Sequence, residues 1–326
     1  MATSSAGTPM QIPEGLALSQ TDDCDLSEGR RWTNICIEDG ISSETCFMTS
    51  LWGRREDRSY MNKIYCETEV LVPSLESSDW TDALEDKYEY DHYVGPFLSK
   101  QTWFRLQSPR ADKPRGSDPY LIREEYKKLI KDIQKHWTAW RTGVQEGRGT
   151  VLLGWPGIGK SIFLKIFLAH LLLDSKPVIM SDPEGQTFSA FDGGPDGKGR
   201  VRIVRTNFLV PFVEENRHFA RCIVLYDSTS SLPTRPPYEM TTDNHGSDLR
   251  FWIVQATSPK ESQWKAWKVR ASAQIWCMMP WDWREIWIVS CGLMGMDTEL
   301  AKKAYAQLGP GIRQPCGKYL HGFRNP

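Results

Sequence analysis

Residues 151–161, Val-Leu-Leu-Gly-Trp-Pro-Gly-Ile-Gly-Lys-Ser, constrain this chain more than any other stretch. Gly154, four intervening residues, then Gly159, Lys160 and Ser161 fill the phosphate-binding-loop (P-loop) pattern. An apolar run precedes the loop and a helical run, Ser161–Leu173, follows it. The spacing has a physical purpose. Glycines let the backbone turn tightly and aim successive N–H groups at phosphate oxygens. Lys160 supplies a point charge for the β/γ oxygens, and the Ser161 hydroxyl is a ligand for Mg²⁺. The helix N-terminus adds its own N–H groups and dipole. The expected nucleotide-binding set is therefore Gly154, Pro156, Gly157, Ile158, Gly159, Lys160, Ser161 and Ile162.

At 326 residues the chain has room for about two domains. The net charge of −1 supplies no global basic field, so nucleic acid is unsupported as a partner; Lys127, Lys128, Lys131 and Lys135 form at most a local basic face. Eight cysteines show no Cys-x-x-Cys pair and no nearby histidine at ligand spacing, which argues against zinc and for buried free thiols in a reducing compartment. The first 20 residues lack the basic and apolar regions of a secretory signal. The most apolar stretch, Ile162–Leu173, is too short to span a bilayer. These features predict an intracellular protein, cytoplasmic or nuclear, with no membrane partner.

Along the chain, residues 1–29 read as a flexible leader and 30–105 as a β-rich module. Its expected strands are Trp32–Ile37, Cys46–Trp52, Lys63–Val72 and Tyr88–Tyr93. Residues 106–116 read as a linker, 117–260 as the nucleotide-binding core, and 261–326 as a short helical, Trp-rich lid. A helix capped at Ser117 or Asp118, with Pro119 in its first turn, carries an apolar stripe from Ile122 to Trp140. Strands are expected at Pro177–Met180, Arg200–Arg205, Cys222–Tyr226 and Phe251–Gln255, with a long turn region over Asp182–Gly199. Helices alternating with short apolar strands predict a doubly wound parallel α/β sheet.

Arg221–Asp227 is an apolar strand ending in an acid at the carboxyl edge, where open α/β sheets bind ligands. Asp227 is the expected second Mg²⁺ ligand. Ser228 follows it, where many ATPases with an extra strand between the two motifs carry a water-polarising glutamate. Asp182, Glu184 and Asp192 are alternative bases; slow hydrolysis is the other reading. Gln255 or Thr257 could sense a γ-phosphate, or simply mark a strand exit. Arg313, after the turn Gly309-Pro310-Gly311, is placed to reach the phosphates from a lid or to lie on the surface. The tryptophans from Trp252 to Trp287 suit a lid core or partner-facing patch better than base stacking. Glu85-Asp86-Lys87, with Asp79 upstream, has a Glu-x-Lys nuclease spacing that is common by chance.

The Gly-x-Pro-Gly-Ile-Gly-Lys-Ser loop, preceded by Arg123-Glu124-Glu125-Tyr126, resembles the P-loop NTPase of Crinkler effectors and retrotransposon-hot-spot (RHS) proteins. The strand ending in Asp227, then Thr257-Ser258-Pro259, Met279-Pro280-Trp281 and Gly309–Arg313 follow in the same order, so the resemblance spans roughly 117–315. It implies a Mg²⁺-dependent NTPase, using ATP or GTP, that drives a conformational switch with a protein partner. Lys160, Asp227 and Arg313 would be its catalytic residues. In that family the NTPase is coupled to nuclease-like or kinase-like effector domains, and several members act in nuclei, some inside a host cell. This chain departs from the pattern: Pro326 follows closely on Arg313, and no Leu-rich translocation header is visible. Nucleotide gating without turnover and small-molecule phosphotransfer are the competing classes.

Overall fold

The computed structural model describes residues 48–72, 97–104, 120–182, 185–228, 236–241, 251–293 and 296–308. The expected leader, the linker, the strands at 32–37 and 88–93, the Glu85–Lys87 triplet, Glu184 and Gly309–Arg313 lie outside these residues.

Seven strands form one sheet: β4 (Thr150–Leu153), β5 (Val178–Ser181), β6 (Thr187–Gly193), β7 (Gly199–Arg205), β8 (Ile223–Asp227), β9 (Trp252–Thr257) and β10 (Gln274–Cys277). Their order is β10-β4-β9-β8-β5-β6-β7. The first five run parallel, and β6 and β7 add an antiparallel hairpin. A single strand, β9, thus separates the strand entering the glycine loop from the strand ending in Asp227. Burial explains the order. Every residue of β4 and β9 is buried, as expected for central parallel strands covered on both faces.

Helices cover both faces. Long helices α2 (Glu124–Arg141) and α3 (Lys160–Leu173) pack on one face against Leu152, Ile223, Leu225, Val254 and Ala256. Helices α4 (Leu209–Glu215) and α5 (Lys265–Ala271) pack on the other, against Val151, Leu153, Val224, Tyr226 and Ile253. These two sets alternate along each strand, as the period of two requires. Helix α3 buries nine of its apolar residues and has no polar face, so it is the central helix of its layer. Helices α6 (Trp283–Trp287) and α7 (Thr298–Leu308) join the α3 side.

A smaller antiparallel sheet, β1 (Tyr65–Val72), β2 (Phe97–Phe104) and β3 (Tyr120–Leu121), follows α1 (Arg58–Ile64). Several local expectations change. Residues 48–50, expected as strand, are helical, because Met48 and Leu51 bury side by side at helical spacing. Helix α2 begins at Glu124 rather than near 117, because Tyr120–Leu121 first pairs with Trp103–Phe104. The expected turn region contains β6: Phe188, Ala190 and Phe191 are buried, and turns remain only on either side of it, after Asp182 and at Gly194–Lys198. Within the expected helical lid, Ser272 in a left-handed conformation ends α5, and β10 then adds an edge strand beside β4.

The segment around Gly53 caps the carboxyl end of α3. Gly53 N donates to the Leu172 carbonyl at 3.0 Å, Arg55 N to that of Leu173 at 3.3 Å, and the Arg55 guanidinium to that of His170 at 3.0 Å. These bonds add to those from Asp174 N to the His170 carbonyl and from Ser175 N to the Leu172 carbonyl, and the Leu173 carbonyl gains a donor beyond the helix end. Arg55 also pairs with Asp174 at 2.7 Å and with His170 Nδ1 at 3.1 Å. Burial first, then the Arg55 charge, lowers the His170 pKa to about 4. The unfolded chain therefore takes a proton that the fold refuses as pH drops from about 6.5 towards 4, and stability falls through that window. A His170→Gln variant is expected to show a flatter melting-temperature profile across it.

Candidate nucleotide-binding site

Strand β4 ends at Leu153, and the backbone turns through the glycine loop into α3. Gly157 and Gly159 have φ of +85° and +99°, the left-handed region that glycine reaches without strain. Gly159 is the N-cap of α3, so the loop hands over directly to the helix. Pro156 and Ser161 are exposed, Gly157, Gly159, Lys160 and Ile162 half-buried, and Ile158 is 3% exposed. The close turn brings the Gly154 Cα within a methyl group's reach of Ile158 and Met278. The Lys160 ammonium donates to the Gly154 carbonyl at 2.7 Å and the Trp155 carbonyl at 3.1 Å, holding its charge at the mouth of the loop.

Asp227 closes the other side. Its carboxylate accepts a hydrogen bond from the Ser161 side chain, and the Lys160 and Lys165 charges lie nearby. Its backbone N–H donates to Ser181 Oγ at 3.1 Å, which fixes the end of β8 against β5. Burial raises the Asp227 pKa; the Ser161 bond and the lysines only partly offset it. A loop hydroxyl and a strand-end carboxylate therefore meet beside an ammonium. Hard oxygen donors of this kind suit Mg²⁺, so Ser161 and Asp227 would be the residues to hold it.

The sheet is thus an α/β layer of mostly parallel strands with helices on both faces and a glycine loop between β4 and α3. No protein-family model matches the chain, and no curated protein sequence matches it. Among solved structures, the RuvB Holliday junction branch migration motor of Thermotoga maritima is similar at 15% identity and a TM-score of 0.36, covering 59% of this chain and 60% of that one. AMPPCP-bound DnaA from Aquifex aeolicus is similar at 9% identity and a TM-score of 0.37, covering 63% and 64%. The chain thus spans about three fifths of the length of these solved chains.

Other expected residues are engaged elsewhere. Gln255 and Thr257 lie in phase with Ile253, on the sheet face opposite α3 and Asp227. The Gln255 side chain is fully buried, bonded to Ser228 Oγ, the Gln263 carbonyl and Trp267 Nε1. Thr257 Oγ1 donates to Gln263 Oε1 at 2.8 Å. Neither points to the loop, so a γ-phosphate-sensing role is corrected for both. Asp182 caps its own turn, accepting from Gln186 N, Thr187 N and Thr187 Oγ1. Asp192 is 2% exposed within ion pairs to Arg200 and Arg202 and a bond to His218. Both carboxylates are committed to the fold. Arg313 lies outside the described residues. The tryptophans from 252 to 287 are all buried or half-buried and form core, whereas Trp155, on the loop itself, is 72% exposed.

Four residues at the back of the loop were not among the expected site residues. Tyr126 Oη donates to the Gly159 carbonyl at 3.1 Å, and Trp281 Nε1 to the Ile158 carbonyl at 2.9 Å. Arg123, 3% exposed, donates two hydrogen bonds to the Glu285 carboxylate at 2.9 and 2.8 Å and further ones to the Met279 and Pro280 carbonyls. Burial pushes the Glu285 carboxyl up, and Arg123 pulls it back. The structure thus gathers Arg123–Tyr126 and Met279–Trp281 around one loop, although about 150 residues separate them. The sequence signal was a charged Arg-Glu-Glu triplet opening an otherwise apolar helical stripe, and a tyrosine and a tryptophan whose polar atoms need partners once buried.

Proposed function

We propose that this chain is a Mg²⁺-dependent P-loop NTPase that binds ATP or GTP and uses occupancy of the loop to switch the conformation of the elements around it. The observation carrying the reading is the glycine loop that caps α3, with the Lys160 ammonium held at its mouth and Ser161 beside the Asp227 carboxylate. When bound, the metal would neutralise phosphate charge and orient the β and γ groups. The protein's own part is to bind and orient. Backbone N–H groups around Gly157–Lys160 receive phosphate oxygens, Lys160 follows the terminal phosphates, and Ser161 and Asp227 hold the metal. The core, expected over 117–260, would extend through β10, with 30–105 as a β-rich module and the segment after β10 as the lid carrying Arg313.

The resemblance to Crinkler and RHS proteins supports an effector-like or nuclear role with a protein partner. It rests on the P-loop and the order of the short motifs that follow. A second reading, a nucleotide-gated binding protein with little turnover, is favoured by Ser228 after Asp227 and by the commitment of Asp182 and Asp192 to other partners. Steady-state phosphate release with Mg²⁺ separates the readings. Release that Lys160→Ala abolishes supports the NTPase; tight binding without release supports the gate. Release or transfer that rises only with an added hydroxyl acceptor would instead indicate a small-molecule kinase.

The raised Asp227 pKa sets the pH dependence. Its protonated form cannot hold the metal, so Mg²⁺-dependent affinity should decline on acidification while an ordinary aspartate would still be ionised. Asp227→Asn should remove both the Mg²⁺ dependence and this pH dependence, measured by binding titrations across pH.

A further inference from the structure

Two buried donors grip the glycine loop from behind. Trp281 and Tyr126 are 3% and 0% exposed, and each directs its polar hydrogen to a loop carbonyl, Ile158 and Gly159 in turn. A buried indole and phenol need acceptors, but packing alone does not require consecutive carbonyls of one loop. The choice matters because a trans peptide is planar, with its C=O and N–H on opposite sides. Drawing the Ile158 carbonyl towards Trp281 turns the Gly159 N–H to the far side. Drawing the Gly159 carbonyl towards Tyr126 does the same for the Lys160 N–H. Successive N–H groups on one side of such a loop make an anion-binding concavity.

The grip is itself held. The Gly159 carbonyl also accepts from Phe163 N at 2.8 Å, tying that peptide to the first turn of α3. The Arg123 guanidinium lies over the Trp281 ring at 4.8 Å and the Tyr126 ring at 5.7 Å. Its pair with Glu285 at 2.8 Å locks that cation in place. One buried ion pair therefore frames both donors, one from before the loop and one from far after it.

We infer that Tyr126 and Trp281 are positioning residues that preset the Gly159 and Lys160 N–H groups for a polyphosphate, with the Arg123–Glu285 pair as their frame. This rests on the nucleotide-binding reading above and adds a requirement to it. The cradle is complete only when the 278–287 segment is docked behind the loop, so this segment controls phosphate affinity without touching phosphate.

The test uses the full chain carrying Tyr126→Phe or Trp281→Phe, each removing a donor and keeping a ring. Calorimetric titration with Mg·ATP, Mg·ADP and inorganic tripolyphosphate is read beside the ligand-free melting temperature. Each variant should bind all three probes about tenfold more weakly, with a melting shift within about 2 °C. A common factor across the probes places the effect at the phosphates. Unchanged affinity, or loss for ATP that tripolyphosphate does not share, overturns the positioning role. So does a loss that merely tracks a fallen melting temperature. If one variant fails to fold, the other decides, since the donors reach separate peptides. A wild-type chain that binds none of the probes overturns the nucleotide reading itself; a binding wild type with unaltered variants overturns only this inference.

Discussion

Gly159→Ala is expected to abolish measurable nucleotide binding and to lower the melting temperature. Two costs act at one position. Gly159 sits at φ +99°, where any side chain pays a strain of about 1–2 kcal/mol. Its new Cβ would also collide with Tyr126 Oη, and Tyr126 is fully buried with no room to retreat. Relief must come from moving either the loop or the start of α2, and both moves dismantle the bond that Tyr126 makes to the Gly159 carbonyl. Against these, the gain from restricting the unfolded backbone is under about 1 kcal/mol. Thermal melts and titration with Mg·ATP on the same samples read both effects. Wild-type affinity in the variant would show that the loop does not need its left-handed cap. As an internal contrast, Gly143→Ala meets nothing around its new Cβ and should cost only the strain of its own φ, +76°, with binding intact.

Arg123→Met should be the most destabilising single change at the back of the loop, by about 3–5 kcal/mol. The pair it breaks is buried: Arg123 is 3% exposed, and the side chains of Glu125 and Glu285 beside it are 13% and 17% exposed. Removing the cation strands the Glu285 carboxylate, whose pKa burial already raises. It also frees the Met279 and Pro280 carbonyls from their donor and takes the cation from the Trp281 ring. The double variant Arg123→Met/Glu285→Leu should recover part of the loss, because it removes the Glu285 charge together with its partner and leaves only Glu125 without its cation. Full recovery is not expected, since the two carbonyls stay unserved. Chemical denaturation of the two single variants and the double one gives the coupling directly. Additive effects would contradict a shared buried pair.

The glycine loop and the strands that flank it were legible in the sequence, because they rest on short-range chemistry. Gly154, Gly159, Lys160 and Ser161 are local in sequence and local in space, and Asp227 ends a strand whose burial is continuous. Short strands with mixed polarity were harder. β6 carries Ser189 and Asp192 among its apolar residues, and its Asp192 is buried only because Arg200 and Arg202 come across the hairpin to meet it. β10 is an edge strand of four residues between helical segments, so it falls unmarked inside the stretch expected as a helical lid. The back of the loop was hidden for a different reason. Its contacts join residues about 150 apart, and a one-dimensional pattern holds no trace of which buried carbonyl a tyrosine or tryptophan will reach. Gln255 illustrates the converse: a polar residue at a strand end looked aimed at ligand, yet strand phase turns it to the other face.

One comparison tests nucleotide binding at this loop most directly: calorimetric binding of ATP, with and without Mg²⁺, by the wild-type chain, Lys160→Ala and Asp227→Asn. The wild type should bind with an affinity that Mg²⁺ strengthens. Lys160→Ala should lose about a hundredfold whether or not Mg²⁺ is present, and Asp227→Asn should lose only the Mg²⁺-dependent part. A folded wild-type chain that binds no nucleotide, or a Lys160→Ala variant that binds as tightly as the wild type, would contradict it.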